Sequence, residues 1–424
     1  MSPTTVVTGI GITAPTGLGT THHWDATRTG HNAIAPATRF DPTAYPAQLA
    51  GEITHFTAED HLPGPLLAQT DRVTRLALLA ADWALADAGI TPTHLNAYDM
   101  GVVTASSSGG FEFGQNELRA LWSKGSRHVS AYQAFAWFYA VNTGQISIRH
   151  GMKGPSGVVV SDQAGGLDAL AQARRHIRKG TPLILSGGLD ASLCPWGWVA
   201  QLTSERLSTS HDPHRAYLPF DAAAHGHVPG EGGALLTLED AHTATQRGAH
   251  IYGEISGYGA TFDPAPTSGR PPTLRTAIEL ALKDAQMTPT DIDVIFADAA
   301  ALPELDRIET QAITDVFGAH TTPVTAPKTM TGRLNSGAAP LDVATALLAL
   351  RDQLIPPTIN VTPDPTHTID LVTHPRPAHL RTAMILARGH GGFNSALIVH
   401  TDHPHPHPHP HPPTTPADPR EAHT

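Results

Sequence analysis

The stretch VVVSDQAGGLDALAQARRHIRKG, residues 158–180, joins a run of β-branched residues to an amphipathic segment through a turn of small residues. The run predicts a strand, and the apolar stripe of Leu167, Leu170 and Ile177 predicts a helix. Such a turn presents one side chain, here Gln163, at a helix N-terminus, where backbone N–H groups and the helix dipole favour negative charge. Enzymes place a Ser or Cys nucleophile at this point. A carboxamide has nothing to deprotonate, so Gln163 can only donate and accept hydrogen bonds.

The rest of the chain repeats this alternation of strand and helix. β-Branched and aliphatic runs predict strands at residues 6–12, 158–161, 183–186, 234–238, 251–255, 294–297, 383–387 and 396–399. Helical periodicity follows the apolar residues of segments 73–84, 167–177 and 274–285. Apolar strands that alternate with helices are typical of a sheet buried on both faces, so we predict an α/β architecture. The strands fall into two batches that divide near residue 250, which indicates two α/β halves.

Composition narrows the classes of function. The chain has 424 residues, a formal net charge of −11 and 15% charged residues. A strongly negative chain is a poor partner for phosphate backbones or anionic lipid, so we expect neither a nucleic-acid nor a membrane partner. The single cysteine, Cys194, excludes an intramolecular disulfide and any Cys-x-x-Cys metal site. We find no basic and apolar leader and no apolar stretch of about 18 residues, so we expect a cytoplasmic protein.

Residues 403–424 differ from the rest of the chain in composition. Residues 403–412 read HPHPHPHPHP, and PTTPADPREAHT follows. Repeated proline removes backbone donors and favours an extended chain without hydrogen bonds. We predict a disordered His/Pro-rich tail, and a metal-binding or tethering role for it stays open. Elsewhere, His225 and His227 have no partner at zinc-type spacing, so we expect no metal site.

Many motifs, taken in order along the chain, resemble one family. The turn at residues 158–180 resembles the nucleophile turn of the β-ketoacyl synthases of the thiolase superfamily, with Gln163 where the catalytic Cys belongs. That replacement resembles the chain length factor, the ketosynthase β-subunit of type II aromatic polyketide synthases. The resemblance spans about residues 1–400 and is carried by VVTGIGITAPTGLG (6–19), QTDRVTRLALLAADWALADAG (69–89), DMGVVTASSSGGFEFGQNEL (99–118), SAYQAFAWFYAVNTGQISIRHGMKGPSG (130–157), CPWGWVAQL (194–202), AYLPFDAAAHGHVPGEGGALLTLED (216–240), PVTAPKTMTGRLNSGAAPLD (323–342) and LARGHGGFNSALIV (386–399).

The resemblance implies a fold, a division of the chain and two partners. The fold is a thiolase-like α/β fold, in which two similar α/β halves pack as a layered αβαβα structure. The N-terminal ketosynthase-like half corresponds to residues 1–249, the C-terminal half to residues 250–402, and the tail to residues 403–424. Members pair as a heterodimer with a Cys-bearing ketosynthase α-subunit, and an acyl carrier protein brings malonyl and polyketide chains. No cofactor and no metal are implied.

The other catalytic positions differ from those of an active ketosynthase in this family. Such an enzyme uses two histidines to assist decarboxylation of the malonyl group and to stabilise the resulting enolate. Asp298 stands at the first histidine position and Arg333 at the second, while Lys328 and the acidic residues Asp306 and Glu309 are kept. A carboxylate at residue 298 would oppose an enolate. The resemblance therefore implies a subunit that keeps the fold and has lost condensation chemistry.

The resemblance also implies a substrate tunnel at the heterodimer interface, closed by side chains of the chain length factor. By this resemblance, the side chains that close the tunnel correspond to Phe111, Gly114 and Leu118, with Trp196 as a fourth position. Positions 111, 114 and 118 are spaced i, i+3 and i+7, on one face of a helix. Gly114 adds no bulk, and Leu118 is smaller than the Phe that some members carry. We therefore predict a long tunnel, for a decaketide or longer chain in aromatic polyketide or spore-pigment biosynthesis.

Alternative roles stay open for Gln163 and Cys194. The Gln163 carboxamide could hydrogen-bond a malonyl thioester carbonyl and assist decarboxylation, or it could fill the vacated cysteine pocket. An independent malonyl-carrier-protein decarboxylase or acyltransferase would act through Gln163 or Cys194. No His–Asp arrangement accompanies Cys194 at a telling spacing, so a buried structural residue is the favoured interpretation of that cysteine.

Overall fold

The computed structural model describes residues 3–402, and the predicted tail at residues 403–424 lies outside the described residues. The described part contains sixteen strands and twelve α-helices, joined by turns and short 3₁₀ segments. Within residues 3–402 no helix is both long and apolar enough to cross a membrane.

The strands are, in chain order, β1 Thr5–Ala14, β2 Gly17–Leu18, β3 Ile34–Pro36, β4 Leu49–Gly51, β5 Met100–Ala105, β6 Ser156–Val159, β7 Leu183–Asp190, β8 Gly232–Asp240, β9 Gly253–Phe262, β10 Val294–Phe296, β11 Pro323–Thr325, β12 Leu354–Ile355, β13 Asp370–Leu371, β14 Arg376–Pro377, β15 Thr382–Arg388 and β16 Phe393–His400. The α-helices are α1 Thr20–Thr29, α2 Gly64–Leu67, α3 Arg72–Asp87, α4 Phe111–Lys124, α5 Gln133–Ala136, α6 Val141–His150, α7 Gly165–Arg178, α8 Pro195–Leu202, α9 Ala241–Gln246, α10 Leu274–Ala285, α11 Pro303–Phe317 and α12 Ala338–Asp352.

One large mixed sheet runs through the molecule in the order β13-β11-β10-β15-β16-β9-β1-β8-β7-β5-β6, with β2 paired to β1. In one half β1 is antiparallel to β8, β8 is antiparallel to β7, and β7, β5 and β6 are parallel. Strands β9, β16, β15, β10 and β11 repeat this order and these directions in the other half. The two halves join where β1 pairs with β9. The placement of the division at residues 249 and 250 stays a prediction.

Helices form three layers around the two halves of the sheet. The helices α7 and α12 pack against each other between the halves, and α12 contacts both β8 and β15. The helix α3 packs on β1 and β8, and α10 packs on β9 and β16. Close packing in the central layer depends on Gly166 of α7, where an added Cβ would lie 2.2 Å from Cδ of Pro340 in α12. These contacts produce the predicted αβαβα layering.

The central layer contains the most buried helix. Every residue of α12 from Ala338 to Leu350 is buried, as expected for a helix that meets a sheet on both sides. Side chains of α7, α12 and both halves of the sheet form the largest buried apolar cluster. The turn that leads into α7 is therefore fixed on the rigid centre of the fold.

The structure confirms the predicted strands and helices, with shifts at their ends. Residues 158–161 overlap only the end of β6, which stops at Val159. The predicted strand 251–255 starts two residues too early, since β9 begins at Gly253. The buried strand β5 was missed. The three periodic segments correspond to α3, α7 and α10.

Candidate functional site

The turn between β6 and α7 holds Gln163 at the start of the central helix. A short 3₁₀ turn, Asp162–Ala164, separates the strand from α7. Asp162 has φ 52°, a left-handed conformation that is uncommon for a residue with a side chain. The carboxylate of Asp162 accepts the backbone N–H of His390 at 2.7 Å, so the loop after β15 supports the turn. Strained backbone of this kind clusters at functional sites.

Gln163 is buried but loosely held. Its relative exposure is 6%, and its Nε2 donates to Oδ1 of Asn335 over a long 3.4 Å. The side chain stands at the predicted place at the helix N-terminus. A carboxamide there can orient a neighbouring polar group, but it cannot attack a thioester.

Asp298 and Arg333 form a buried ion pair. Asp298 follows β10, and Arg333 lies between β11 and α12. Nη2 of Arg333 donates to Oδ1 of Asp298 at 2.8 Å, and Nη1 donates to the Asp298 carbonyl oxygen at 2.7 Å. The backbone N–H of Arg388 also donates to Oδ1 of Asp298, at 2.9 Å. The two positions that resemble histidine positions therefore hold opposite charges in direct contact.

The pairing decides the charge state of both groups. Burial alone would raise the pKa of Asp298, but the charge of Arg333, helped by Lys328, outweighs burial and lowers that pKa. Burial likewise opposes the charge on Arg333, and Asp298 more than compensates, so the pKa of Arg333 lies above its ordinary range. Both groups are ionised at neutral pH. Arg333 has no lone pair to act as a base, and its Nη2 donor is already engaged by the carboxylate.

Lys328 lies behind this pair and forms a second buried ion pair. Its Nζ is 2.7 Å from Oδ2 of Asp342 in α12, and it also donates to the carbonyl oxygen of Ala297. Glu309 of α11 accepts the backbone N–H of Asp298 at 2.6 Å. Lys328 and Glu309 thus hydrogen-bond to the backbone at residues 297 and 298, and they fix the position of Asp298.

Two buried carboxyl groups support the loop after β10. Asp306 accepts the backbone N–H of Phe220 at 2.9 Å, and Glu309 also accepts the N–H of Ala299 at 2.9 Å. Burial raises the pKa of Asp306 and of Glu309 to about 7 each. Ala299 and Ala301 have positive φ angles of 53° and 54°. The loop therefore keeps a strained backbone that the acidic groups hold in place.

One cavity connects most of these positions. Gln163, Asp298 and Arg333 line a cavity of about 750 Å³, together with Arg206 and His227. The structure thus brings onto one surface three of the four positions that correspond to catalytic residues of an active ketosynthase. The fourth, Lys328, lies behind that surface and acts through the backbone.

Sequence reasoning missed Arg206 and His227 as lining residues. Burial, followed by the charge of Arg333, lowers the pKa of His227 to about 3, so the ring is uncharged. Burial, followed by the same charge, also lowers the pKa of Arg206. Their local sequence contains no motif that would predict a cavity lining. Both residues lie in the long segment between α8 and β8, which the fold places against the loop after β10, where the Gly226 N–H donates to the Ala301 carbonyl oxygen.

A second group of predicted residues lies on α4 and α8. Phe111, Gly114 and Leu118 follow one another along α4, and Trp196 lies in the first turn of α8. The rings of Phe111 and Trp196 have centroids 4.8 Å apart. Leu118 is 38% exposed and Trp196 is 41% exposed. The segment that follows α4 also exposes large aromatic side chains: Tyr132, Phe135, Trp137, Phe138 and Tyr139.

Gly114 does not leave an open gap. A Cβ added at this position would lie 3.0 Å from Cζ3 of Trp196 and 3.5 Å from Cβ of Trp137. The indole of Trp196 occupies the space that a larger side chain would take. Within the described chain, the space beside Gly114 is therefore occupied by a ring, and the predicted long tunnel stays a prediction. Glycine instead lets Trp196 approach the helix.

Two family models match most of the chain. The model for the N-terminal domain of β-ketoacyl synthase matches residues 3–244, and the model for the C-terminal domain matches residues 252–362. The chain belongs to the β-ketoacyl synthase family.

Curated relatives and solved structures show which members of the β-ketoacyl synthase family this chain is similar to. The "actinorhodin polyketide putative beta-ketoacyl synthase 2" of Streptomyces coelicolor is 59% identical over 397 residues, which cover 93% of this chain and 98% of the relative. The "tetracenomycin polyketide synthase ketoacyl synthase beta subunit" of Streptomyces glaucescens is 58% identical over 398 residues, 93% of this chain and 97% of the relative. The structure titled "the ishigamide ketosynthase/chain length factor" has a TM-score of 0.88 at 27% identity, covering 95% of this chain and 100% of that chain. The resemblance to ketosynthase β-subunits and the thiolase-like fold are confirmed.

The single thiol of this chain is poorly suited to nucleophilic attack. Cys194 is buried at the N-terminal cap of α8. Burial, together with the charges of Asp71 and Glu112, raises its pKa to about 11. The thiolate is therefore scarce at neutral pH. Within the described residues, no three or more His, Cys, Asp and Glu side chains form a group able to hold a metal ion.

Proposed function

We propose that this member of the β-ketoacyl synthase family is a non-condensing chain length factor. It pairs with a Cys-bearing ketosynthase α-subunit, receives chains from an acyl carrier protein, and sets polyketide length through a tunnel at the heterodimer interface. The setting is aromatic polyketide or spore-pigment biosynthesis in the cytoplasm. The names of the relatives support this proposal, since both refer to polyketide synthesis and one describes a ketoacyl synthase β-subunit.

The ion pair that lines the same cavity as Gln163 carries the proposal. Condensation needs a nucleophile to hold the acyl chain and hydrogen-bond donors to stabilise an enolate. Gln163 cannot hold an acyl chain. The carboxylate of Asp298 would repel an enolate, and it engages the guanidinium of Arg333 at 2.8 Å. A partner must therefore supply the nucleophile.

The apolar surface around α4 supports a protein partner. Leu118, Trp137 and Trp196 are each more than a third exposed and lie on adjoining segments. Large exposed apolar patches mark interaction sites. The strand β6 is the last strand of the large sheet, and within residues 3–402 no strand pairs with its outer edge, which leaves that edge able to pair with a partner. A similar structure with a TM-score of 0.85 is titled as a type II acyl-carrier protein in complex with its ketosynthase, which supports the carrier protein as the second partner.

The chain-length part of the proposal predicts a decaketide or longer product. Position 114 contributes no side chain, so the bulk at this point of α4 comes from the neighbouring side chains of Trp196 and Trp137. Gly114→Thr combined with Leu118→Phe should shorten the product, because the new Cβ would meet Trp196 at 3.0 Å and the added ring would fill the same face. Product mass from the reconstituted heterodimer measures the effect. Unchanged length would refute the assignment of these positions.

Three parallel reactions test the proposed function itself. Malonyl-carrier protein is incubated with this chain alone, with a Cys-bearing ketosynthase alone, and with both proteins. We expect long polyketide only in the combined reaction. Carbon–carbon bond formation by this chain alone would refute the loss of condensation chemistry.

A second candidate function rests on the cavity at Gln163. Its volume of about 750 Å³ lies in the range of small-molecule sites. In a malonyl-carrier-protein decarboxylase, the Gln163 carboxamide would donate to the thioester carbonyl while carbon dioxide leaves and a proton from water completes the acetyl group. Carbon dioxide release by this chain alone, abolished in Gln163→Ala, would establish this activity. Absence of release would leave the carboxamide as a filler of the pocket.

A further inference from the structure

Gln115 links α4 to α8 at the point where Trp196 is placed. It follows Gly114 on α4 and is half-buried. Its Oε1 accepts the backbone N–H of Trp196 at 2.7 Å. The contact joins two residues, on different helices, that are 81 positions apart in the chain.

This hydrogen bond caps the N-terminus of α8 from another helix. Cys194 is the N-cap of α8 and Pro195 its first residue, so the N–H of Trp196 belongs to the second position. The first N–H groups of a helix have no partner inside the helix, and the side chain of the N-cap residue normally accepts one of them. Cys194 makes no such side-chain hydrogen bond. Gln115 supplies the missing acceptor.

The cap restricts where the indole of Trp196 can lie. Its backbone is held by Gln115, and its ring packs on Phe111 with centroids 4.8 Å apart. The ring also covers Gly114, whose added Cβ would be 3.0 Å away. A tryptophan with a fixed backbone has only two side-chain torsions left. The position of the indole over α4 therefore depends on the carboxamide of Gln115.

We propose that Gln115 is a positioning residue for product length, which holds Trp196 over Gly114. The inference rests on the proposed function as a chain length factor. Without the hydrogen bond, the first turn of α8 loses its cap and the indole moves away from α4. The closed end of the tunnel then becomes longer and less sharply defined.

Three variants test this role in the reconstituted heterodimer. Gln115→Leu removes the acceptor at nearly the same volume, and Gln115→Glu keeps an oxygen acceptor on a side chain of the same length. Asn116→Leu removes a carboxamide at the next, exposed position of α4 and serves as the matched control. Each heterodimer is supplied with malonyl-carrier protein, and the products are measured by mass spectrometry. We expect the ratio of longer to native-length product to rise about fivefold in Gln115→Leu, the factor that loss of a helix cap corresponds to. The other two variants should keep the native length.

The outcomes separate this inference from the proposed function. Native-length product from Gln115→Leu would overturn the positioning role, and so would an equal shift in Gln115→Glu. If the wild-type heterodimer made no polyketide that depends on this chain, the proposed function itself would fail. If Gln115→Leu does not assemble, Gln115→Met, which also lacks a comparable acceptor, is read in the same way.

Discussion

Asp298→Asn removes one charge from the buried ion pair without changing the shape of the side chain. The variant keeps an oxygen that can accept from Nη2 of Arg333. It also keeps the hydrogen bond from Nη1 of Arg333 to the carbonyl oxygen of residue 298, at 2.7 Å. The charge of Arg333 nevertheless remains in the interior, where its side chain is 6% exposed.

The unpaired charge of Arg333 determines how much unfolding free energy Asp298→Asn is expected to lose. Removing one partner of a buried ion pair costs about 3–5 kcal/mol. The hydrogen bonds that survive place Asp298→Asn near the lower end, at about 3 kcal/mol of unfolding free energy. Arg333→Met in the same chain removes the stranded guanidinium. We therefore expect the double variant to be less destabilised than the sum of the two single variants, by about 2 kcal/mol.

Urea denaturation of the four proteins, followed by circular dichroism at pH 7, measures these free energies. Glu304→Gln is the matched control, since its ion pair with Arg307 is 2.8 Å long but lies on the surface. We expect that control to change stability by less than about 1 kcal/mol. If Asp298→Asn cost no more than the control, or if the two single effects simply added, the pair would not be a coupled unit and the argument from burial would fail.

The remaining predictions concern packing, thiol reactivity and pH. Gly166→Ala should destabilise the fold by about 3 kcal/mol, because the added Cβ would lie 2.2 Å from Pro340. Gly144→Ala, where the added Cβ would meet open space, should stabilise the fold by about 0.4–1 kcal/mol. Urea denaturation measures both changes in unfolding free energy. Cys194 should resist iodoacetamide at pH 8 in the folded chain, since burial raises its pKa to about 11; rapid alkylation of the native protein would contradict this. Asp306→Asn should gain stability relative to the wild type between about pH 4 and pH 7. Burial raises the folded pKa of Asp306 from 3.8 to about 7, so ionisation over this interval weakens the wild-type fold and not the variant. Parallel pH profiles of unfolding free energy would disprove that cause.

Much of the fold was predictable because most strands are buried along their length. The strands β7 and β15 are buried and paired on both edges, and each contains an apolar run that is visible in the sequence, at residues 183–185 and 383–387. The helix α12 was not recognised, since its residues from Ala338 to Leu350 are buried on every side. A helix without a polar face gives no periodic signal. The buried strand β5 was also overlooked, and its length is not the reason, since the shorter β10 was predicted.

The sequence predicted which residues belong to the candidate site, but not which of them are in contact with one another. Motif order located Gln163, Asp298 and Arg333, and the structure places all three on one cavity. Spacing along α4 located Phe111 and Gly114 on one helix. It could not show that Trp196 fills the space above Gly114, because that contact joins α4 to a helix far along the chain. Volume arguments from single residues fail where a distant ring can move into the gap.

The ion pair also explains why the two replacements at the histidine positions belong together. A lone aspartate at residue 298 would bury a carboxylate beside the backbone of Arg388, and a lone arginine at residue 333 would bury a guanidinium. Either charge alone would cost several kcal/mol in this interior. Together they neutralise each other, and Nη2 of Arg333 reaches Oδ1 of Asp298 at 2.8 Å. A histidine restored at only one position would leave the other charge without its partner. Recovery of condensation would therefore need both positions changed at once, in addition to a nucleophile at residue 163.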